Sequence, residues 1–153
     1  MRRLIIIGCI FVSFITCIKE YANPIPSLRV YLEVNLNDRD KELIGHNTYK
    51  IFTLNNTVHG KESTGFAGVL VTRLINGDYK AFDLACPNEA RRDAIVEIGE
   101  DRNAVCKICG SKYEVILNYG SGMCISGPSK YPLRYYHTEL RDKILIVRNI
   151  LYY

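Results

Sequence analysis

Proline and repeated sequence are scarce in this chain of 153 residues, which contains only 5 Pro. No internal repeat or low-complexity stretch is present. Hydrophobic residues make up 48% of the chain and charged residues 24%, a balance typical of globular proteins. These features exclude a disordered or collagen-like protein. The length suits one domain with a single core.

A strong excess of charge is also missing. The formal net charge is +4, and the basic residues are scattered except for the pair Arg91-Arg92. No basic stripe with interleaved aromatic residues appears, which is the pattern expected of a nucleic-acid-binding surface. The sequence therefore predicts no nucleic-acid partner.

Signatures of catalysis are absent as well. The chain has no pattern of Ser, His and Asp typical of a catalytic triad, no glycine-rich loop that would bind a phosphate, and no paired-carboxylate signature. The three histidines, His46, His59 and His137, are isolated in the sequence. We interpret them as surface or packing residues, so nothing in the sequence supports an enzyme.

Residues 1–17 are typical of an export signal. Arg2 and Arg3 precede the apolar residues 4–16, a run of 13 residues that suits a signal peptide better than a spanning helix of about 20. The end of the run resembles a bacterial lipobox, so we predict lipidation at Cys17. The protein would then be an exported lipoprotein attached to a membrane of the bacterial cell envelope. Ordinary signal-peptidase cleavage near Ala22 is the alternative.

The remaining chain predicts an extended tether, residues 18–27, and one domain, residues 28–150. Apolar residues alternate with polar ones over 28–36, the period of a strand with one buried face. Asn76-Gly77 separates two strand-like runs within residues 66–84, a strong hairpin signal.

Further short strands are expected in the second half of the chain, and no stretch of ten or more residues has helical period. The expected strands are residues 94–98, 104–106, 111–115, 133–137 and 143–148. Many short strands with regular turn signals predict an all-β protein, an antiparallel sandwich or small barrel.

Four cysteines follow the predicted anchor: Cys86, Cys106, Cys109 and Cys124. A Cys-x-x-Cys turn, as at 106–109, places two thiolates within reach of one metal ion, either in a 2Fe-2S cluster or at a zinc site. Disulfides are the alternative in an exported protein, for instance between Cys86 and Cys106 or Cys109. Reactive thiols have little support, because Lys107 alone would lower a cysteine pKa.

The cysteines belong to a longer pattern. Residues 86–88 read Cys-Pro-Asn, residues 106–113 read Cys-Lys-Ile-Cys-Gly-Ser-Lys-Tyr, and residues 127–136 read Gly-Pro-Ser-Lys-Tyr-Pro-Leu-Arg-Tyr-Tyr. This order and spacing resembles the C-x-H, C-x-x-H-G-S-x-F and G-P-x-x-x-P-L-x-x-Y motifs of Rieske-type 2Fe-2S domains. The chain is also similar to Rieske-like lipoproteins of Bacteroidetes.

The resemblance implies a Rieske-like antiparallel β fold with a two-loop metal-site subdomain, capped by the loop near 124–130. It places Cys86 and Cys106 on the two cysteine ligands, and Asn88 and Cys109 on the two histidine ligands. It implies electron transfer with a redox partner protein.

With no histidine ligand, a cluster would use Cys86, Cys106 and Cys109, with Cys124 as the fourth, at a potential below the Rieske range. A metal-free, disulfide-bonded or zinc-bearing structural or binding lipoprotein on a degenerate Rieske scaffold is the alternative.

Overall fold

A computed structural model describes residues 22–57 and 61–149. The predicted export signal, the lipidation site Cys17 and His59 lie outside the described residues. Strands and one short 3-10 helix, Lys41–Ile44, make up the regular structure of the described part. The strands are β1 (Val30–Asn35), β2 (Thr48–Phe52), β3 (Ser63–Thr64), β4 (Val69–Arg73), β5 (Tyr79–Asp83), β6 (Val96–Ile98), β7 (Ala104–Cys106), β8 (Lys112–Tyr113), β9 (Cys124–Ser126), β10 (Tyr135–Arg141) and β11 (Ile144–Arg148).

The larger of two antiparallel sheets has seven strands in the order β2-β4-β5-β10-β11-β1-β3. β10 joins its two halves, because Tyr135 and Tyr136 pair with β5 while the rest of the strand pairs with β11. β4 and β5 form the predicted hairpin around Asn76-Gly77. β1 alternates buried and accessible residues as predicted, with Leu32 and Val34 fully buried.

The smaller sheet contains four strands in the order β6-β7-β8-β9. Its strands have only two or three residues each, so most of this region consists of the loops between them. For the described residues, the prediction of an all-β fold with a second, loop-rich subdomain is confirmed.

Two hydrophobic clusters lie on opposite faces of the hairpin. Val69 and Val71 belong to the cluster that includes β1 and β11, whereas Leu70 and Phe82 belong to the cluster that includes the small sheet. Neighbouring residues of a strand point to opposite faces. Because both faces are covered, β4 is buried from Val69 through Thr72. The Thr72 hydroxyl donates to the carbonyl of Val115 at 2.9 Å. This hydrogen bond joins the segment that follows β8 to the β4-β5 hairpin.

Residues that precede Leu28 also make contacts with the domain. Ile25 is fully buried, and its carbonyl accepts a 2.7 Å hydrogen bond from Nε of Arg134. The Asn23 amide donates to the carbonyl of Pro132 at 2.9 Å. Residues 23–27 of the predicted tether therefore pack on the domain, because an isolated apolar side chain can fill a core position without regular structure. Within the described residues no helix is long and apolar enough to cross a membrane.

Candidate metal centre

The first loop of the site, residues 86–90, follows β5. The N–H of Cys86 donates to the carbonyl of Ala94 at 2.8 Å, and its carbonyl accepts the N–H of Ala90 at 2.9 Å. Ala90 has a left-handed φ of 51°, so the chain reverses there. Cys86 is thus fixed at both of its backbone groups.

The second loop, residues 106–111, connects β7 to β8. The N–H of Cys106 donates to the carbonyl of Ser111 at 2.9 Å, and its carbonyl accepts the N–H of Gly110 at 2.8 Å. Gly110 has a φ of 74°, which glycine adopts without a steric penalty. Apart from its two chain neighbours, no described residue has an atom within 4 Å of the position that its Cβ would take. Backbone conformation, and not lack of space, therefore favours glycine there.

The two loops bring three thiols together. The sulfur atoms of Cys86, Cys106 and Cys109 all lie within 4.8 Å of one another, and those of Cys86 and Cys109 are 3.6 Å apart. Cys86 and Cys106 are fully buried, and Cys109 is half-buried. Sulfur atoms in a tetrahedral site are about 3.8 Å apart when the metal–sulfur distance is about 2.3 Å. These free thiols therefore have a spacing that suits a shared metal.

Cys86 lies among hydrogen-bond donors. Burial raises the pKa of its thiol to about 11, while hydrogen bonds from the Tyr113 hydroxyl and from the N–H groups of Glu89 and Asn88 act in the opposite direction. The Tyr113 oxygen is 3.3 Å from the sulfur. Metals bind the thiolate and not the thiol, and donors to the sulfur stabilise that charged form. The surroundings of Cys86 can therefore stabilise its thiolate once a bound cation offsets the cost of burying the charge.

Cys109 is held by Ser111, whose hydroxyl is hydrogen-bonded to the thiol at 3.2 Å. Burial raises the pKa of Cys109, but the hydroxyl and backbone N–H of Ser111 and hydrogen bonds with the other two cysteines outweigh it. The pKa of Cys109 therefore lies below its ordinary value, and this thiol ionises more readily than Cys86.

A third loop, residues 127–129, covers the second one. The N–H of Ser129 donates to the Ser111 hydroxyl at 3.1 Å. Gly127 comes so close that a Cβ on it would lie 2.5 Å from Cα of Ser111. The arrangement that the sequence resemblance implied, two loops on a small antiparallel sheet capped by a third loop, is present beside the larger sheet.

Other residues singled out in the sequence lie outside the group of three thiols. Cys124 is in β9, opposite Tyr113 in the sheet register, and its thiol donates to the carbonyl of Ser126 at 3.3 Å. Its role as a fourth ligand stays a prediction. His46 and His137 are exposed, as expected for surface residues.

Sequence reasoning missed the hydrogen-bond partners of the thiols, Ser111 and Tyr113. Both belong to the Cys-Gly-Ser-Lys-Tyr segment, two and four positions after Cys109. Their place in this motif was a signal that could have identified them. Their contacts with the thiols become visible only when the two loops meet.

The residues of the site do not fit a Rieske centre, which has two imidazoles on one iron. Asn88 is exposed, and its amide donates to the Glu89 carboxylate at 3.0 Å. Cys109 occupies the other histidine position. The three thiols do fit a metal bound by thiolates, because their mutual distances and their hydrogen-bond donors match that chemistry.

Comparison with protein-family models gives no match, and no curated protein matches. Solved structures similar to this chain include the following two. One is a chain of the complex of reduced oxygenase and oxidized ferredoxin in carbazole 1,9a-dioxygenase, with 19% identity over 79% of this chain and 94% of that chain and a TM-score of 0.49. The other is a putative NADH-dependent nitrite reductase small subunit from Mycobacterium tuberculosis, with 14% identity over 82% and 99% of the two chains and a TM-score of 0.45.

Proposed function

We propose that this chain is a Rieske-like electron-transfer protein whose iron-sulfur centre is bound by Cys86, Cys106 and Cys109. The observation that carries the proposal is the convergence of these thiols within 4.8 Å at the meeting point of two loops. Cysteines that serve only as surface or core residues are not expected to converge from separate loops and to receive hydrogen bonds at their sulfur atoms.

The protein residues have three tasks in this proposal. The thiolates hold the iron, the Tyr113 hydroxyl and the loop N–H groups stabilise charge on the Cys86 sulfur, and the cap near Ser129 limits access of water to the second loop. Iron bound in this way supplies one-electron chemistry, and ligation without imidazole favours a potential below the Rieske range. An electron carrier also needs a redox partner protein, which we place among its expected partners.

Purification without oxygen tests the proposal. We expect a coloured protein with visible sulfur-to-iron absorption, bound iron and acid-labile sulfide. Cys106→Ser should lose the colour and the iron. A wild-type protein without iron or visible absorption would contradict the proposal.

A zinc-bearing structural or binding module is the second candidate. The 3.6 Å separation of the Cys86 and Cys109 sulfurs suits one tetrahedral ion as well as a cluster. In that case the purified protein is colourless and contains zinc in the proportion of one ion to one chain. If neither metal is present and thiol titration of the unfolded protein finds no free thiols, the disulfide-bonded alternative replaces both.

We also propose that the protein is exported and attached to a membrane of the bacterial cell envelope through a lipid on Cys17. The support is the basic start, the apolar run of residues 4–16 and the cysteine that ends it. Such an anchor would keep the electron carrier at the membrane surface.

A further inference from the structure

The two loops of the site share one backbone hydrogen bond and the conformation of the residue that donates it. In each, a buried cysteine comes first, and its carbonyl accepts the N–H of the residue four positions later. The distance is 2.9 Å between Ala90 and Cys86 and 2.8 Å between Gly110 and Cys106. The residue that donates has a left-handed φ in both loops, 51° at Ala90 and 74° at Gly110.

The left-handed conformation of Ala90 is unusual, because the Cβ of an alanine makes it cost about 1–2 kcal/mol. Gly110 avoids this cost, so the two loops reach the same conformation with different residues. Local preference does not explain the first loop. Strained backbone of this kind persists where the surrounding structure imposes it, and it concentrates at functional sites.

Aligning the loops on this shared hydrogen bond places Cys86 opposite Cys106 and Glu89 opposite Cys109. In the second loop both aligned positions belong to the three-thiol group. We propose that the Glu89 carboxylate is the fourth protein ligand, so that each loop supplies two ligands to the centre. This inference rests on the three-thiol centre proposed above and adds a residue to it.

The chemistry of Glu89 suits this role. A carboxylate oxygen is an accepted ligand beside thiolates, whereas the neutral amide of Asn88 is not among the usual ligands. Glu89 is half-buried, and its carboxylate accepts one hydrogen bond, from the exposed Asn88 amide at 3.0 Å. The carboxylate lies outside the group of three thiols, so it must turn toward them. That turn gives up one surface hydrogen bond and needs a rotamer change of the kind that accessible side chains make within nanoseconds.

Cys124 is the competing fourth ligand. It belongs to neither loop, and its thiol is hydrogen-bonded to the carbonyl of Ser126 within its own strand. With a ligand from β9, the first loop would supply only one ligand, and the two loops would no longer contribute two ligands each. The geometry therefore favours Glu89 over Cys124.

Cobalt binding distinguishes these ligands. Co²⁺ is titrated into reduced, metal-free protein, and its affinity and absorption spectrum are recorded for wild type and for Glu89→Gln, Glu89→Cys, Cys124→Ser and Asn88→Ala. We expect Glu89→Gln to weaken Co²⁺ binding at least about tenfold. Glu89→Cys should restore binding and increase sulfur-to-cobalt absorption by about a third, because a fourth thiolate joins the three. Cys124→Ser and Asn88→Ala should bind like wild type.

The results can distinguish a wrong role for Glu89 from a wrong three-thiol centre. Wild-type binding of Co²⁺ together with unchanged affinity in Glu89→Gln would overturn the role of Glu89 and leave the three-thiol centre standing. Weakened binding in Cys124→Ser, with Glu89→Gln like wild type, would assign the fourth position to Cys124. A wild-type protein that binds no Co²⁺ would overturn both the centre and its fourth ligand. Far-ultraviolet circular dichroism of each variant confirms that it is folded.

Discussion

The Tyr136 hydroxyl donates a 2.6 Å hydrogen bond to the fully buried carboxylate of Asp83. The carboxylate also accepts the N–H of Phe66 at 2.9 Å and the N–H of Ala85 at 2.8 Å. A buried charge is tolerated when it is surrounded by donors of this kind. The contact therefore connects β10, the segment before β4, and the residues that lead from β5 to Cys86.

Tyr136→Phe should lower the free energy of unfolding by about 1.5–3 kcal/mol, because the Asp83 carboxylate loses a charge-assisted hydrogen bond inside the core. Urea denaturation of the metal-free protein measures the change. Tyr135→Phe is the matched control, since its side chain is 39% exposed and its ring meets Phe82 edge to face without needing the hydroxyl. Equal losses in the two variants would contradict the role given to the Tyr136 hydroxyl.

Elements with a clear local pattern could be predicted from the sequence. The alternation over residues 28–36 identified β1, and Asn76-Gly77 identified the β4-β5 hairpin. β3 and β9 could not be found, because segments of two and three residues are too short to show a period. The contacts of the predicted tether could not be found either, since Ile25 is buried and its carbonyl bonds to Arg134, which is distant in sequence.

The candidate site, too, could be predicted from the sequence only in part. The spacing of Cys86, Cys106 and Cys109 was enough to predict that they converge, because each lies in a turn of the recognised pattern. Asp83 could not be identified as a buried anchor, because its partners Tyr136 and Phe66 are distant in sequence. Likewise, the equivalence of the two loops depends on backbone hydrogen bonds and φ angles, which leave little trace in the residue types of the first loop.

The metal-free protein should lose stability as the pH rises above about 9. Burial raises the pKa of Cys86 from its ordinary value of 9.0 to about 11. Below pH 9 the thiol is protonated in the folded and unfolded states, so the full stability is present. Between pH 9 and 11 the unfolded state releases the proton and the folded state keeps it, which favours unfolding.

Urea denaturation at pH 8, 9 and 10, with reductant and chelator present, measures this dependence. Cys86→Ala should flatten it over the same interval, although the variant is less stable overall. Above pH 10 the buried tyrosines Tyr113 and Tyr136, whose pKa values are also raised by burial, add to the loss. A wild-type curve that is flat from pH 8 to 10 would contradict the burial of a neutral Cys86 thiol.

Tyr113→Phe should lower the reduction potential of the iron-loaded protein by roughly tens of millivolts. The hydroxyl lies 3.3 Å from the Cys86 sulfur, and a donor to a ligand sulfur stabilises the more negative, reduced form. Redox titration followed by visible absorption measures the shift. Tyr119→Phe serves as the control, because Tyr119 is 84% exposed. An unchanged potential in Tyr113→Phe would mean that the hydroxyl does not act on the centre.

Cys17→Ser should move the protein from the membrane fraction to a soluble fraction, because the proposed lipid is attached to that sulfur. Cys9→Ser is the matched control, since Cys9 lies within the apolar run and has no expected role. Cell fractionation with immunodetection, combined with labelling by a fatty-acid analogue, gives the result. Membrane association that survives in Cys17→Ser, with no label in the wild type, would contradict lipidation of Cys17. A wild type that is already soluble and carries no label would favour ordinary signal cleavage.

Gly127→Ala should loosen the cap over the second loop. Two effects add there: a left-handed φ of 98°, which costs an alanine about 1–2 kcal/mol, and a Cβ that would lie 2.5 Å from Cα of Ser111. The contact is with backbone, so it can be relieved only if the cap moves away, at a further cost of about 1–3 kcal/mol. The half-buried thiol of Cys109, held by Ser111, should then react faster with an alkylating reagent.

Gly77→Ala separates these two effects. Gly77 has a similar φ of 92°, but the nearest atom to its Cβ position is the end of the Arg73 side chain at 3.9 Å. This variant should therefore show the backbone cost alone, about 1–2 kcal/mol, with no change in the alkylation rate of Cys109 in the metal-free protein. Thermal unfolding and timed alkylation followed by mass spectrometry measure both quantities. If the two variants lose equal stability and alkylate at equal rates, the close approach of Gly127 to Ser111 does not hold the cap in place.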